Sequence, residues 1–352
     1  MNLPDGERAH KVKRWQIRTK EEAALFLAKK ARNAFKASGN SAILLVGPVD
    51  GFSAAIRQDL ADHGMQPHWV DLAGLGPLAA QGRANFAAVI CSYTDIRHSN
   101  AVARIVLRHG ALRSLPFEQV TFPAGDYATL QRHNRHHALD LVSPLPNYDV
   151  DVFGIYEEAL AHFEPKCDVR DYMDLCQLVQ SIVDNRTPGD VAEFGSFRGH
   201  SGYLLASLLQ AWDAQRTLYL FDTFDRFPQE DVGVDRFWSG SHAVDFETVQ
   251  RKFDGFPFVH LVKGDFTDTW PRAGIEHLAL VYVDCDSFRA TDYLLRQIFA
   301  AVLSPGGVMI FEDYGHAPLL GNRAAVDGFF EGRRGCVRFF SHFSGSYIVI
   351  KL

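Results

Sequence analysis

Apolar runs and amphipathic segments alternate along the chain in two blocks separated by a proline-punctuated stretch. In TKEEAALFLAKKARNAFKA, Ala24, Leu27, Ala31 and Ala34 or Phe35 recur at helical spacing, and Thr19 with Glu22 forms the pattern of a capping box. A helix is predicted there. The continuous run AILLVG (42–47) then reads as a buried strand, followed by a helical stretch to Leu60, strand candidates PHWVDL and FAAVICSY, and the helix RHSNAVARIVLRHG. Residues 19 to about 125 are therefore expected to form a small α/β unit. The turn GPVDGFS after the first strand lacks the full dinucleotide glycine pattern, so it is a weak cofactor candidate.

From residue 122 to about 151 the chain carries Pro123, Pro144, Pro146 and the run RHNRHH, and is expected to be an irregular connector. Its histidines 133, 136 and 137 fit a solvated loop better than a metal site. Two helical patterns, FGIYEEALAHF and YMDLCQLVQSIV, follow as an expected cap against the next domain. Five apolar strand candidates come after them: DVAEFGS, LYLFDTF, FVHLVKGDF, LALVYVDCD and GGVMIFEDY. The last two runs, CVRFF and YIVIK, are joined by too few residues for a crossover helix and must pair antiparallel. The expected organisation is an α/β chain with an N-terminal domain over 1–150, connector included, and a larger domain over 151–352. The first domain is expected to serve acceptor recognition or self-association.

Composition narrows the functional classes. The 352 residues are 47% hydrophobic and 22% charged, which suits a folded globular protein and excludes wholesale disorder. A net charge of −6 provides no basic field for a nucleic-acid backbone. Five cysteines without a C-x-x-C pair suggest neither a disulfide framework nor a thiolate zinc site. The polar N-terminus and the lack of a run of roughly 20 apolar residues lead to the expectation of a soluble, cytoplasmic protein with no membrane partner.

Each strand of the second block ends in an acidic or small residue, and ligands of open α/β sheets bind beyond those ends. The first turn runs Glu193, Phe194, Gly195, Ser196, Phe197, Arg198, Gly199, with Ser201 in the first turn of the helix that follows. Glycines there let backbone approach a ligand, or simply make a tight turn. Phe197 occupies the place of the second glycine of the dinucleotide fingerprint, which lowers NAD and raises S-adenosylmethionine. Asp222, followed by Thr223, is positioned to accept ribose hydroxyls. Asp265 can reach an adenine amino group, with Phe266 beside the ring, or can cap a helix.

The fourth strand ends in Asp284, Cys285, Asp286 and the fifth in Glu312, Asp313. Neighbouring parallel strands lie roughly 5 Å apart, so these carboxylates crowd one volume and repel unless a proton or cation intervenes. Mg²⁺, a hard ion with oxygen ligands, resolves the conflict. Some of the acids can instead cap helices or face water.

These residues resemble the macrocin O-methyltransferase family from about Glu157 onward. The resemblance rests on E-x-G-x-x-x-G, on Asp222-Thr223-Phe224 followed by Phe227-Pro228, on the D-x-D pair at 284 and 286, and on the acidic pair before Tyr314. It implies a class I methyltransferase sheet ending in an antiparallel hairpin, and transfer of a methyl group from S-adenosylmethionine to a sugar hydroxyl. It further implies that Asp284, Glu312 and Asp313 hold Mg²⁺ and that Asp286 is the general base, with Asp284 also at the cofactor. Cys285 stands where the family usually has glycine, and Glu312 where it usually has aspartate. His242 falls in the stretch corresponding to an acceptor-side lid, where it can assist deprotonation. Trp238 and Phe237 can floor a sugar site or pack the lid, and Arg289 can hold a phosphate or pair with a carboxylate. The leading expectation is a Mg²⁺-dependent O-methyltransferase acting on a sugar or glycosylated small molecule, with a homo-oligomer open. An NAD-linked oxidoreductase and a non-catalytic binding module on the same scaffold are the alternatives.

Overall fold

A computed structural model describes residues 19–82, 85–120, 150–163, 167–212, 214–229, 232–236, 238–316 and 319–352. The chain divides into two compact units, one of 1–124 with 230–236, the other of 125–229 with 237–352. The connector, including His133, His136 and His137, lies almost wholly outside the described residues, as does Phe237.

In the first unit, α1 (Lys20–Ser38) opens on the predicted capping box: Thr19 accepts from the Glu22 N–H while the Glu22 side chain accepts from the Thr19 N–H. The strands are β1 (Ala42–Val46), β2 (Gln66–Val70), β3 (Ala88–Cys91) and the short β4 (Phe117–Gln119), all parallel in the order β2-β1-β3-β4. Helices α2 (Gly51–Asp62), α3 (Leu72–Ala80), α4 (Ile96–Arg108) and the single turn α5 (Gly110–Arg113) connect them. Leu27, Ala31, Ile43, Leu45, Ile56 and Ile90 are among the residues that build the core. A Cβ at Gly47, after β1, would fall 1.7 Å from Ser92 Oγ, so close approach of β1 to β3 accounts for this glycine without a ligand.

The second unit begins with α6 (Val152–Leu160) and α7 (Val169–Asp184). Tyr156, Tyr172, Met173 and Cys176 of these helices belong to the same apolar core as Val191, Leu220 and Leu280 of the sheet. The expected cap is thus an integral layer. The sheet has seven strands: β5 (Asp190–Phe194), β6 (Leu218–Asp222), β7 (Val259–Lys263), β8 (Leu278–Val283), β9 (Leu303–Phe311), β10 (Cys336–Phe340) and β11 (Tyr347–Lys351), in the order β10-β11-β9-β8-β5-β6-β7. Strands β5 to β9 are parallel, and β11 and β10 close the edge antiparallel, as the short final connection requires. Helices α8 (His200–Ala211), α9 (Phe246–Arg251), α10 (Phe266–Thr269), α11 (Phe288–Ile298) and α12 (Leu320–Phe330) complete the unit. The fold is the α/β class expected, a mixed sheet with an antiparallel terminal hairpin. Among the described residues no helix is long and apolar enough to cross a membrane, and all five cysteines are free.

The register positions the site. Phe194 pairs with Phe221 and with Val283, and Val283 pairs with Phe311, so four strands bring fully buried apolar residues to one level. The next residue in each strand is Gly195, Asp222, Asp284 or Glu312. Chain order runs outward in both directions from β5 and β8, making the carboxyl ends of these two strands the topological switch point where such sheets bind ligands.

Gly195 is what lets the two strand ends meet. Its φ is +100°, and an added Cβ would fall 1.7 Å from the Asp284 carbonyl oxygen, a backbone atom with no room to yield. The substitution Gly195→Ala is expected to lower stability by about 2–4 kcal/mol, through steric overlap and a disfavoured φ together. Denaturant titration of the two proteins checks this; an unchanged midpoint would show that the strand ends can part freely.

Candidate active site

The turn after β5 is stitched to β6. Gly195 N–H donates to Phe221 O at 2.9 Å, and Phe197 N–H donates to Asp222 Oδ2 at 2.9 Å. Asp222 Oδ1 accepts from the Phe224 N–H at 2.8 Å and from the Thr223 hydroxyl at 3.3 Å. The Asp222 carboxylate therefore organises two loops, and both residues that donate backbone N–H groups to it have left-handed φ, +46° at Phe197 and +44° at Phe224. Burial raises its pKa, and those N–H donors oppose the rise. Gly199, at φ +86°, is the N-cap of α8 and packs against the Phe253 ring, which an added Cβ would approach to 2.9 Å. Ser196 is buried beside this turn.

Glu193 points into the protein. It is fully buried, its Oε1 accepts a short hydrogen bond from the Ser201 hydroxyl, and Gly202 leaves the space that its Oε2 occupies. It thereby ties β5 to the first turn of α8. Burial lifts its pKa to about 7, opposed by the Ser201 and Ser196 hydroxyls and reinforced by the charge of Asp222.

Asp265 acts as an N-cap: Oδ1 accepts from the Thr267 N–H at 2.9 Å and the Thr267 hydroxyl at 2.7 Å, while Oδ2 takes the Arg289 guanidinium at 3.1 Å. These donors hold its carboxyl below the usual range although burial acts the other way. Arg289 thus pairs with a carboxylate. Phe266 meets the Phe194 ring edge to face, 5.4 Å between centroids.

The acidic ends of β8 and β9 converge. Strand β8 stops at Val283, and Asp286 adopts φ +54°, so the chain turns and both Asp284 and Asp286 come within 4.8 Å of Asp313. Asp313 is 1% exposed; its Oδ2 accepts from the Asp286 N–H at 2.8 Å and the Asn322 amide at 3.4 Å. Glu312 joins Asp313 and His316 in a second group of the same tightness, with His316 Nδ1 at 3.6 Å from each acid. Burial, then mutual repulsion, drives the pKa values of Asp284, Asp286 and Glu312 well above the carboxylate range. The all-oxygen, like-charged donor set of Asp284, Asp286 and Asp313 fits a hard divalent cation.

His242 is half-buried, at φ +56°, its ring set edge-on between Trp238 at 4.6 Å and Phe197 at 5.0 Å, with Ser241 Oγ 2.7 Å from Nδ1. Burial lowers its pKa while Asp222 raises it. Trp238 reaches further, its indole N–H donating to Asp286 Oδ1 at 3.2 Å.

Two members of this constellation, His316 and Asp171, were not singled out from the sequence, and Trp238 was named there for a sugar floor or lid packing and not for its contact with Asp286. His316 had a signal, standing three and four residues beyond the acids in EDYGH. The indole contact of Trp238 had none, since 48 residues separate the partners. Asp171, on the first turn of α7, also lacked one. It is 7% exposed, its pKa is raised to about 7 by burial and by Asp168, and its charge acts on Asp284 and Glu312.

Residues 169–334 match the family model described as Macrocin-O-methyltransferase (TylF). The chain is 35% identical over 156 residues to Mycinamicin III 3''-O-methyltransferase of Micromonospora griseorubida, covering 40% of this chain and 61% of the relative. It is 32% identical over 157 residues to Demethyldecarbamoylnovobiocin O-methyltransferase of Streptomyces niveus, covering 40% and 59%. A third relative, 8-demethyl-8-(2,3-dimethoxy-alpha-L-rhamnosyl)-tetracenomycin-C 4'-O-methyltransferase of Streptomyces olivaceus, is 29% identical over 182 residues, covering 48% and 69%. The chain spans about three fifths of the length of the first two relatives.

The buried acid of the donor turn has a pH signature. Glu193 titrates near 7 in the folded protein against an ordinary 4.5, so the folded state holds its proton after the unfolded state has lost it. Stability therefore falls as pH rises from about 4.5 to about 7, by roughly 3 kcal/mol in total, and Glu193→Gln removes that loss. Urea melts at pH 5 and pH 8 should show the wild type weakening more than the variant. Equal weakening in both would mean that Glu193 is ionised at no cost.

Proposed function

We propose that this chain, whose residues 169–334 carry a macrocin O-methyltransferase domain, transfers a methyl group from S-adenosylmethionine to a hydroxyl of a sugar or glycosylated small molecule. The observation that carries the reading is the convergence of Asp284, Asp286 and Asp313 at the switch point of the sheet, beside the turn 195–199. The relatives support the acceptor class, since one is named for a 4'-hydroxyl on a rhamnosyl group.

In this reading the adenosyl end of the donor lies over the carboxyl ends of β5, β6 and β7. Asp222 keeps an open acceptor site on Oδ2, which accepts only from the Phe197 N–H, and takes the ribose hydroxyls, and Asp265 with Phe266 borders the adenine. Asp284 and Asp313 are ligands proposed for Mg²⁺, with Glu312, grouped with Asp313 and His316, as the third, and Asp286 is left as the base beside them; when bound, the ion would supply Lewis acidity to the acceptor hydroxyl. Asp286 receives the hydroxyl proton as the acceptor oxygen forms its bond to the methyl carbon. The carbon–sulfur bond breaks and S-adenosylhomocysteine leaves. His242 borders the same volume and assists there. The first unit is assigned to acceptor recognition or self-association.

Calorimetric titration with S-adenosylmethionine, and turnover of a panel of glycosylated acceptors with Mg²⁺ or with EDTA, test the reading. Donor binding in the micromolar range is expected, as is turnover that EDTA abolishes and Mg²⁺ restores. Asp313→Asn is expected to cost on the order of 100-fold in kcat by removing one of the converging carboxylates. A chain that binds no donor would refute the proposal; full activity in EDTA would remove the metal from it.

A further inference from the structure

The acid assigned as the base is held from two sides, one of them an element that neither the family motif nor the metal group includes. Its backbone N–H is fixed on Asp313 Oδ2 at 2.8 Å, and its Oδ1 accepts the Trp238 indole N–H at 3.2 Å. Indole nitrogen donates and never accepts, so this bond has one direction and cannot compete for the proton that the carboxylate must take. It restrains the plane of the carboxylate through Oδ1, beside a side-chain contact with Asp313.

The indole is itself held in place. A turn closes over Trp238, with Ser241 N–H donating to Trp238 O at 2.8 Å and Gly240 at φ +74° allowing the bend. The two arms of that loop are stapled by Phe227 N–H to Ser241 O at 2.8 Å, Gly240 N–H to Phe227 O at 3.0 Å, and Val244 N–H to Asp225 O at 2.9 Å. The ring packs edge-on against His242, which packs in turn on Phe197 of the turn after β5. His242 and Asp286, at the two ends of this contact, both pay backbone strain, with φ of +56° and +54°. Such strain persists only where surrounding structure over-determines a conformation, and it gathers where geometry matters to function.

We infer that Trp238 is a positioning residue for the transfer reaction, orienting the Asp286 carboxylate through its indole N–H. The inference rests on the methyl-transfer reading and adds to it a determinant of kcat on the loop between β6 and β7. Proton acceptance depends on a carboxylate oxygen being held within hydrogen-bond reach in the right plane, and a displacement of about 1 Å can cost 100-fold.

Trp238→Phe keeps an aromatic ring against His242 and deletes the N–H donor together with part of the indole. Its kcat is expected to fall roughly 10- to 100-fold, with acceptor KM within about threefold and calorimetric donor affinity unchanged. In an Asp286→Asn background the same substitution should change the residual rate less than about twofold, because the group it orients is no longer a base. A kcat within twofold of wild type, or a full additional loss in that background, would overturn the proposal. The contact is also read without turnover. Five tryptophans supply five indole N–H signals in a nitrogen-15 spectrum, Trp238→Phe identifies one, and Asp286→Ala should shift that one upfield. An unmoved signal would overturn the contact itself. A wild type that binds no donor would refute the methyl-transfer reading instead, and the spectrum would still decide whether indole and carboxylate meet.

Discussion

Strands β5, β6, β8 and β9 end in register, and every structural feature of the site follows from that alignment. Phe194, Phe221, Val283 and Phe311 close the apolar interior at one level, and the chain then passes at once to glycine and acids. Carboxylates emerging from adjacent strands cannot avoid one another, and the interior beneath them offers no water to screen their charge. His316 Nδ1 stands 3.6 Å from both Glu312 and Asp313 and is more exposed than either. The charge imbalance is the property the fold preserves, because relaxing it would mean parting strands whose register is set by a buried core.

Strain is distributed in the same place. Of the five described non-glycine residues with left-handed backbone, Phe197, Phe224, His242 and Asp286 lie in the loops that follow β5, β6 and β8, and Arg186 precedes β5. Each is held by identifiable bonds: Phe197 and Phe224 by Asp222, Asp286 by Asp313, His242 by its packing between Trp238 and Phe197. Local conformational cost of about 1–3 kcal/mol per residue is offset by the rest of the unit, which holds these loops in place. Trp238 and His242, between β6 and β7, belong to this arrangement through their contacts with Asp286 and Phe197.

The five parallel strands were legible as apolar runs, as expected of strands in a parallel sheet, and the terminal hairpin was legible because its connection is too short for a crossover helix. The capping box at Thr19 and Glu22 was legible because it is local to four residues. The three-residue strand β4 was not, since its register on β3 depends on a partner far away in sequence. At the site, the acids were identified by type and by their place at strand ends. Whether Asp284 and Asp286 share a side depended on the turn at Asp286, and how Asp265 is engaged depended on Arg289 from another helix. Trp238 and Asp171 escaped notice as partners of the acids because aromatic and acidic residues on loops and helix starts are common and carry no local pattern.

Sequence alone determined the α/β class, the order of elements and the set of acids available at the ends of the strands, all of which depend on periodicity and on neighbours along the chain. Only tertiary structure decided which of those acids meet. It grouped Asp286 with Asp284 and Asp313, placed Glu312 with His316, turned Glu193 inward to Ser201, and brought an indole from a distant loop onto a carboxylate. The reason is physical: burial and through-space charge are set by register and packing, and neither is encoded at the position of any one residue.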